Sequence, residues 1–318
     1  MIGYIVQRLL AILVILVVMS MLIFGITQIL PGNVAYVIAG QFATPDVVHA
    51  IEIKLGLNDP IYMQYWRWAS GILRGDLGHS LVMEQPVAPI IADALSASAT
   101  LAAPSFFFVA TLGIMLGVIA AVRQNKAVDH GISLFTYVGI SVPEFFWGIV
   151  LVIVFARYIN LLPPGGRGDP TDSLWTRISY LILPTATLTF TLIAHVSRMT
   201  RSSMIETLRS NYVRNARAKG LPERIVIFRH ALRNALLPTI TVLAVDVGWL
   251  MGGIVVVETV FSYPGLGRLM IFALERHDLP LIQGSILVIT AIYCCANLIA
   301  DLLYAFFNPK IRYGNAVR

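Results

Sequence analysis

The sequence predicts an all-α integral membrane protein with six transmembrane helices and both termini on the cytoplasmic side. Hydrophobic residues make up 57% of the 318-residue chain, its mean hydropathy is +0.78, and only 13% of residues are charged. That charged share is about half that of a soluble domain. Six apolar segments are each long enough to cross a bilayer of ~30 Å, which needs roughly 20 helical residues. Basic residues concentrate in alternate connections between these segments.

The first apolar segment is predicted to be an uncleaved anchor over residues 1–30. Its 22-residue apolar run exceeds the apolar core of a signal peptide, about 7–15 residues, and no small-x-small cleavage site follows. The later spans follow in order with few charges inside them. The six spans are Leu9–Leu30, 94–122, Gly131–Ala156, Ile178–Ser197, Leu236–Phe261 and Leu279–Phe307.

The distribution of Lys and Arg predicts the orientation, because cytoplasmic connections of membrane proteins are enriched in both residues. With the N-terminus inside, the inner segments hold 15 basic residues and three acids, whereas the outer segments hold eight basic residues and ten acids. The net charge of +6 therefore follows the membrane and does not indicate a nucleic-acid partner. Residues 308–318 are predicted to be a cytoplasmic tail.

The outer segment 31–93 is too long for a simple connection between two spans. It contains "KLGLNDPIYMQYWRWASGILRGDLGHS", with aromatic residues at Tyr62, Tyr65, Trp66 and Trp68. Trp and Tyr favour the headgroup layer of a bilayer. The pattern predicts either a small folded cap or an amphipathic helix that lies on the membrane.

The largest inner loop, 198–236, contains most of an unusually basic stretch, "YVRNARAKGLPERIVIFRHALRNALLP". Within it Gly220 suits the left-handed position that ends a helix, and Pro222 suits the first turn of the next helix. Glu223 complements the positive end of that second helix. The stretch therefore predicts two short helices at an angle, the second one returning to the membrane.

The second helix of this pair is predicted to carry one apolar stripe. Ile225, Phe228, Leu232 and Leu236 recur at helical spacing. A loop that only obeys the orientation rule needs the positive charges, but it needs neither the stripe nor the helix stop at Gly220. The pattern favours a docking element for a cytoplasmic partner.

The stretch "ARAKGLPERIVIFRHALRNALLP" resembles the coupling loop of type I ABC importer permeases of the oligopeptide, dipeptide and nickel branch. The signature of that family is Glu-Ala-Ala, three residues, then Gly. Here Arg214, Asn215, Ala216 and Gly220 hold these positions, and the acidic first residue is absent. Further landmarks resemble the same branch in order: "QRLL" (7–10), "LPGN" (30–33), "SVPEFFWG" (141–148), "RMTRSSMIE" (198–206), "VVETVFSYPGLG" (256–267) and "NLIADLLYAFFNPKIRYG" (297–314).

The resemblance implies a type I ABC importer transmembrane fold over residues 94–307, in a multi-pass protein of the bacterial inner membrane. It implies a second homologous permease subunit, two cytoplasmic ATPase subunits and a periplasmic binding protein that delivers a peptide. ATP and Mg would bind to the ATPase subunits, and no cofactor would bind to this chain. The residues that would couple to the ATPase are Arg214, Asn215, Ala216, Arg217, Lys219, Gly220, Leu221, Pro222 and Glu223.

The sequence lacks the motifs of the common hydrolytic and metal sites, so the chain is predicted not to be an enzyme. No Gly-x-x-x-x-Gly-Lys-Ser/Thr loop, His-Glu-x-x-His or Gly-x-Ser-x-Gly occurs. His195, in the fourth span, is interpreted as a packed or interfacial residue. The adjacent Cys294 and Cys295 indicate no disulfide framework.

Four carboxylates lie inside the predicted spans, where a charge costs roughly 2.5–3.5 kcal/mol and is usually functional or paired. Glu144 and Asp246 either line the pathway and meet a peptide's amino end or a cation, or pair with polar groups of the partner permease. Glu144 has a further alternative, which is to hold a kink after Pro143. Asp301 is interpreted as structural. The candidate pathway residues are Glu144, Asp246, Gly248, Gly252 and Glu258.

Two Gly-x-x-x-Gly pairs, Gly113–Gly117 and Gly248–Gly252, are predicted to allow close approach of helices. Two alternatives to a peptide importer remain. One is the same importer class with nickel, glutathione or another small solute as cargo. The other is an ion-coupled carrier that uses Glu144 and Asp246, although the internal repeats typical of such carriers are not visible.

Overall fold

A computed structural model describes residues 2–29, 44–56 and 58–307. The described part contains helices and no β-sheet, which confirms the all-α prediction. The "LPGN" landmark (30–33) lies outside the described residues, as does the predicted tail 308–318. The helices are α1 (Ile2–Ile29), α2 (Pro45–Leu55), α3 (Ile61–Leu73), α4 (Val87–Val122), α5 (Ala127–Ser141), α6 (Glu144–Leu151), α7 (Leu174–Leu208), α8 (Asn211–Ala218), α9 (Glu223–Ile225), α10 (Arg233–Val260), α11 (Leu266–Glu275) and α12 (Leu279–Phe307).

Two π-helical turns extend this set. Val152–Tyr158 follows α6, and Val226–Leu232 joins α9 to α10. As a result, the backbone from Glu223 to Val260 forms one helical element of 38 residues.

Five described helical segments are long and apolar enough to cross a membrane: Ile5–Gln28, Val87–Val122, Leu174–Leu208, Glu223–Val260 and Leu279–Leu302. The predicted third span is not one helix. Its two halves, Ala127–Ser141 and Glu144–Tyr158, meet at an angle of 105°. Pro143 explains the break, because it disfavours helical geometry at the preceding residue, and Val142 is extended at φ −107° and ψ 130°. Glu144 therefore lies in the first turn of α6.

The described chain divides into two compact units. One comprises Ile2–Ala97 and Pro264–Cys294, and the other is made mainly of Ser98–Tyr263. In the first unit, apolar residues of α4, α11 and α12 form a buried cluster that includes Val87, Ala273 and Leu281. The described part of the outer segment contains α2 and α3.

A buried carboxylate fixes the loop after α3 to the start of α12, within the first unit. Asp278 is fully buried, and its Oδ2 accepts hydrogen bonds from the Ser80 hydroxyl at 2.5 Å and the Val82 N–H at 3.2 Å. Its Oδ1 accepts a bond from the Leu281 N–H at 3.3 Å. The same side chain thus satisfies a donor in the first turn of α12 and orders the loop.

In the second unit, α7 packs against α5, α6 and α10. The first Gly-x-x-x-Gly pair lies against α7, as predicted. A Cβ at Gly113 would lie 2.7 Å from the Val196 Cβ, and a Cβ at Gly117 would lie 2.6 Å from the Ser197 carbonyl oxygen. Neither position has room for a side chain, so these glycines set the separation of α4 and α7.

An ion pair fixes the start of α5 to the far end of α7. Arg201 Nε lies 2.6 Å from Asp129 Oδ1, and Arg201 Nη2 lies 2.7 Å from Oδ2. The Asn125 N–H donates to the same carboxylate at 2.9 Å. The Arg201 guanidinium lowers the pKa of Asp129, which lies outside the predicted apolar span, to about 2. The pair therefore remains ionised at neutral pH.

Replacing Arg201 with Ala is expected to lower the free energy of unfolding by about 3 kcal/mol, because it leaves a buried carboxylate without its partner. Asp129 is only 3% exposed, whereas Arg198 on the same helix is exposed. Reversible unfolding in SDS would measure the change, with Arg198→Ala as the matched control. Equal losses in the two variants would contradict the assigned role of the pair.

Candidate functional site

The predicted helix pair of the basic loop is present, with its turn at Gly220. Helix α8 ends at Ala218 and α9 begins at Glu223, directly after Pro222. Gly220 has a φ of +75°, the left-handed region that an L side chain rarely adopts, so glycine is required for the chain to reverse here. No atom of the described chain comes within 4 Å of the place where a Cβ would lie. The requirement is therefore one of backbone conformation.

The helix pair rests on an apolar base, here called the loop base. Val213 and Ala216 of α8 are buried there, Val213 completely and Ala216 with 6% exposed. Ala216, at an alanine position of the family signature, therefore contributes packing rather than an exposed contact. The buried residues of the loop base are Val118, Ala121, Met204, Val213, Ala216, Val226, Ala231 and Ala235.

The predicted apolar stripe of the second helix is not the face that packs on the loop base, except that Leu232 packs there partly. Ile225 is 39% exposed and Phe228 is 63% exposed, whereas the buried stripe is Val226, Ala231 and Ala235. The cause is the π-helical turn over Val226–Leu232, which inserts an extra residue per turn. Residues five apart, Val226 and Ala231, then share a face, and the 3.6-residue period does not apply.

One ion pair crosses the turn between the short helices. Arg217 Nη2 lies 2.6 Å from Glu223 Oε1, and Arg217 Nε lies 3.1 Å from Oε2. The hydrogen bond from Arg217 lowers the pKa of Glu223 in this loop. The two charges largely cancel, so the pair holds the turn and adds little to the positive field of the loop.

The exposed side chains around the turn are apolar and basic. We define the coupling surface as Arg214, Lys219, Arg224, Ile225, Phe228 and Arg229, all exposed. Within the described chain its four basic residues form no ion pair. Of the other predicted coupling residues, Asn215, Gly220 and Pro222 are also exposed, and Leu221 packs partly against the loop base.

Of the predicted pathway acids, Asp246 and Glu258 are buried within the subunit. Asp246 is 2% exposed, and its Oδ1 lies 3.3 Å from His195 Nδ1 of α7. Its Oδ2 has no hydrogen-bond partner in the described chain. Glu258 is fully buried and accepts a hydrogen bond from the Ser98 hydroxyl at 2.5 Å.

Glu144 lies against the backbone of α10. A Cβ at Gly253 would meet its Oε2 at less than van der Waals distance. Gly253, which directly follows the second Gly-x-x-x-Gly pair, is therefore the glycine of α10 that allows this approach. At Gly252 no atom of the described chain lies within 4 Å of a built Cβ.

The middle of α10 presents two different faces. One face is buried and includes Asp246, Leu250 and Val257. The other we call the exposed stripe: Val245 at 55%, Trp249 at 63%, Val256 at 39% and the exposed Gly252. Gly248 lies between the two faces with intermediate exposure.

His195 and Trp249 belong to this region, but sequence reasoning did not select them. Their rings meet edge to face with centroids 6.1 Å apart, and the side chain of His195 is 27% exposed. A histidine inside an apolar span was the available signal. It was interpreted as packed or interfacial because no other histidine lies at metal-ligand spacing from it.

The chain has several apolar spans, and a short helix pair rests on an apolar base between two of them. This is the arrangement of the membrane subunit of an ABC importer, which is not itself catalytic. The chain belongs to the family "Binding-protein-dependent transport system inner membrane component", whose model matches residues 113–313. A companion model for the N-terminal part of such membrane components matches residues 1–102. It is a type I importer permease of the peptide and nickel branch.

Curated relatives match over nearly the whole chain. The dipeptide transport system permease protein DppB of Alkalihalophilus pseudofirmus is 36% identical, with 98% of this chain and 100% of the relative covered. The glutathione transport system permease protein GsiC of Escherichia coli K12 is 39% identical, with the same coverage. The probable peptide ABC transporter permease protein y4tP of Sinorhizobium fredii is 37% identical, with 98% and 99% covered.

A solved structure supports the fold. The MetNI methionine ABC transporter, in an inward-facing conformation, matches with a TM-score of 0.57 and 13% identity over 69% of this chain and 96% of that chain. Membership of the family implies other importer components such as an ATPase and a binding protein. The comparisons do not favour the ion-coupled carrier.

The Arg217–Glu223 pair can be tested by exchanging its charges. Arg217→Glu should reduce transport-coupled ATPase activity several-fold by repulsion across the turn, with less than about 1 kcal/mol lost in unfolding because exposed pairs contribute little. The exchanged double variant, Arg217→Glu with Glu223→Arg, should recover most of the activity. If the double variant is as impaired as the single one, the residues act through separate contacts with a partner.

Proposed function

We propose that this chain and a second homologous permease form a path for di- and oligopeptides across the bacterial inner membrane. A periplasmic binding protein delivers the peptide, and two ATPase subunits bind the cytoplasmic loops of the two permeases. The observation that carries the proposal is the coupling surface, an exposed apolar and basic patch held rigidly on the loop base.

Peptide cargo is supported by the names of the relatives. Two are named for dipeptide or peptide transport and one for glutathione, which is itself a tripeptide. The shared chemistry is a short chain of amide-linked amino acids with charged ends. A nickel chelate or another small solute remains the second candidate cargo, since this branch includes such importers.

The coupling surface suits a cleft with an apolar floor and an acidic rim. Phe228 offers a large exposed side chain of the type that dominates interface energetics. The unpaired basic side chains around it favour an acidic partner and speed its approach. An ATPase cleft of this kind would enclose Phe228 and neutralise Lys219 and Arg224.

Motion at the coupling surface has a direct route into the membrane. Ile225 and Phe228 lie on the same continuous helical element, Glu223–Val260, that carries the exposed stripe. A rigid helix transmits a displacement that a flexible loop would absorb. We propose that ATPase closure moves this element and thereby changes access to the path.

Phe228→Asp is expected to weaken binding of the ATPase subunit by roughly 30-fold, or about 2 kcal/mol, as for the loss of an interface anchor. Lys219→Glu should weaken it less and make the loss depend on salt. Affinity can be measured between the permease pair in nanodiscs and the purified ATPase.

The matched control is Leu161→Asp, because Leu161 is 69% exposed and Phe228 is 63% exposed. Leu161 lies in a connection that the charge distribution places on the outer side, so its change should leave the affinity unaltered. Unchanged affinity in Phe228→Asp, with the protein folded, would remove the coupling surface from the proposal.

The exposed stripe of α10 is the proposed wall of the path. Its support is the polar pair beside it, because His195 and Asp246 within a span favour a water-filled interior over a lipid-facing surface. Gly252 leaves space on that wall, where a partner subunit or a peptide backbone can approach closely. In this arrangement Asp246 holds His195 and Trp249 in position from behind the wall.

Cysteines at the stripe positions are expected to react with a charged methanethiosulfonate reagent at least about tenfold faster than a cysteine at Leu13 of α1. Leu13 is the control because it is 60% exposed and lies in a predicted span. The difference is expected because a charged reagent stays in water and does not enter lipid. The background chain carries Ser at Cys294 and Cys295. The stripe positions are Val245, Trp249, Gly252 and Val256.

Gly252→Trp should in addition block peptide uptake without preventing assembly. Labelling as slow as at Leu13 would assign the stripe to lipid. Uptake driven by an ion gradient in vesicles without ATP would overturn the importer proposal itself.

A further inference from the structure

We propose that α3 lies along one surface of the bilayer, with Tyr62, Trp66 and Leu73 inserted at the boundary between headgroups and acyl chains. By the predicted orientation this is the outer surface. The partner of this face is membrane lipid, and the inference does not depend on the cargo or on the coupling surface.

One face of α3 packs on α1. The rings of Tyr65 and Trp68 surround Phe24, with centroids 5.5 Å and 5.6 Å from it. The two rings are also 6.0 Å from each other. This contact leaves another face of α3, roughly a quarter to a third of a turn away, uncovered within its own unit.

The uncovered face is strongly apolar. Tyr62 is 71% exposed, Trp66 is 73% exposed and Leu73 is 87% exposed. Their separations of four and seven residues place them on one stripe of an α-helix, since 3.6 residues make a turn. Exposed Tyr and Trp beside an aliphatic residue match the composition of an interfacial helix.

The contact with α1 shows the depth at which α3 lies. The Tyr65 hydroxyl is 2.8 Å from the Ser20 hydroxyl, and Phe24 sits between the two rings. Phe24 precedes Ile29, the last described residue of α1, by five residues, or about 7.5 Å at 1.5 Å per residue. The crossing of α1 and α3 therefore lies inside the membrane relative to the outer end of α1. Its depth matches that of helices that lie in the interface, about 5–10 Å.

The direction of α3 also follows from its contacts. Ser20, Phe24 and Gln28 extend over about 12 Å of α1, yet they meet only Gln64–Trp68, about one turn of α3. Two helices that run side by side would pair turn by turn over the same length. The crossing is therefore steep, and with α1 across the membrane α3 lies in its plane.

A third contact supports the same depth for the outer end of α1. Gln283 Nε2 donates to Thr27 Oγ1 at 2.7 Å, and Gln283 is the fifth residue of α12. The end of α1 and the start of α12 thus lie together at one side of the membrane. Because α3 runs in the membrane plane, its apolar stripe has the same depth as its crossing with α1, where lipid rather than a soluble protein surrounds it.

The test measures depth in the complete importer in nanodiscs, in a chain with Ser at Cys294 and Cys295. Single cysteines replace Tyr62, Trp66 or Leu73, and each carries a nitroxide spin label. Controls replace Arg67, on another face of α3, and Glu84, an exposed residue of the following loop. We expect collisions with oxygen to exceed collisions with a nickel chelate several-fold at the three stripe positions, with the reverse at both controls.

Two results would overturn the proposal. If the nickel chelate reaches the three positions and the substrate-binding protein then protects them, the face is a protein-docking surface. If neither reagent reaches them, the face is a subunit interface. A second measurement excludes an effect of the spin label. Brominated lipids should quench more tryptophan fluorescence in the unlabelled chain than in Trp66→Phe. Equal quenching in the two proteins would also contradict the proposal.

Discussion

The continuity of the helical element from Glu223 to Val260 is the constraint on which the functional arrangement depends. Its N-terminal end carries Ile225 and Phe228, and its middle carries the exposed stripe. Val226, Ala231 and Ala235 hold the junction against the loop base. The two alanines allow close packing at this point because their side chains are small. The helix is continuous between the two ends, with Pro238 inside it.

The acidic residues of the spans show how the membrane limits what a pathway residue can be. A carboxylate inside a span needs a partner or water. Glu258 has the Ser98 hydroxyl and Asp246 has His195, so neither depends on cargo for a first contact. Glu144 sits in the first turn of α6, where the positive end of the helix stabilises a negative charge. Asp246 and Glu258 thus each have a partner within the subunit, although Asp246 Oδ2 has none in the described chain.

Most of the fold was predictable because the membrane imposes long apolar helices, and the turn at Gly220 was predictable because its residues have strong local preferences. What the sequence did not show arose from changes of helical geometry. Pro143 was recognised as a source of a kink, but a bend of 105° depends on how α6 packs against α7 and α10. The pairing of His195 with Asp246 was missed because α7 continues to Leu208, beyond its apolar segment. Spacing alone cannot predict a contact between helices whose relative depth is unknown.

The π-helical turn has a more specific consequence for the coupling surface. Counting back from Ala235 by α-helical steps leads to Ala231 and then to Ile227 or Phe228, which would place Phe228 on the loop base. The extra residue in the turn brings Val226 there instead and leaves Phe228 exposed. Such turns are rare, occur mostly as single turns inside α-helices, and are frequently found at functional sites. The same local irregularity therefore leaves the largest apolar side chain of the coupling surface exposed, while the helix continues unbroken to Val260.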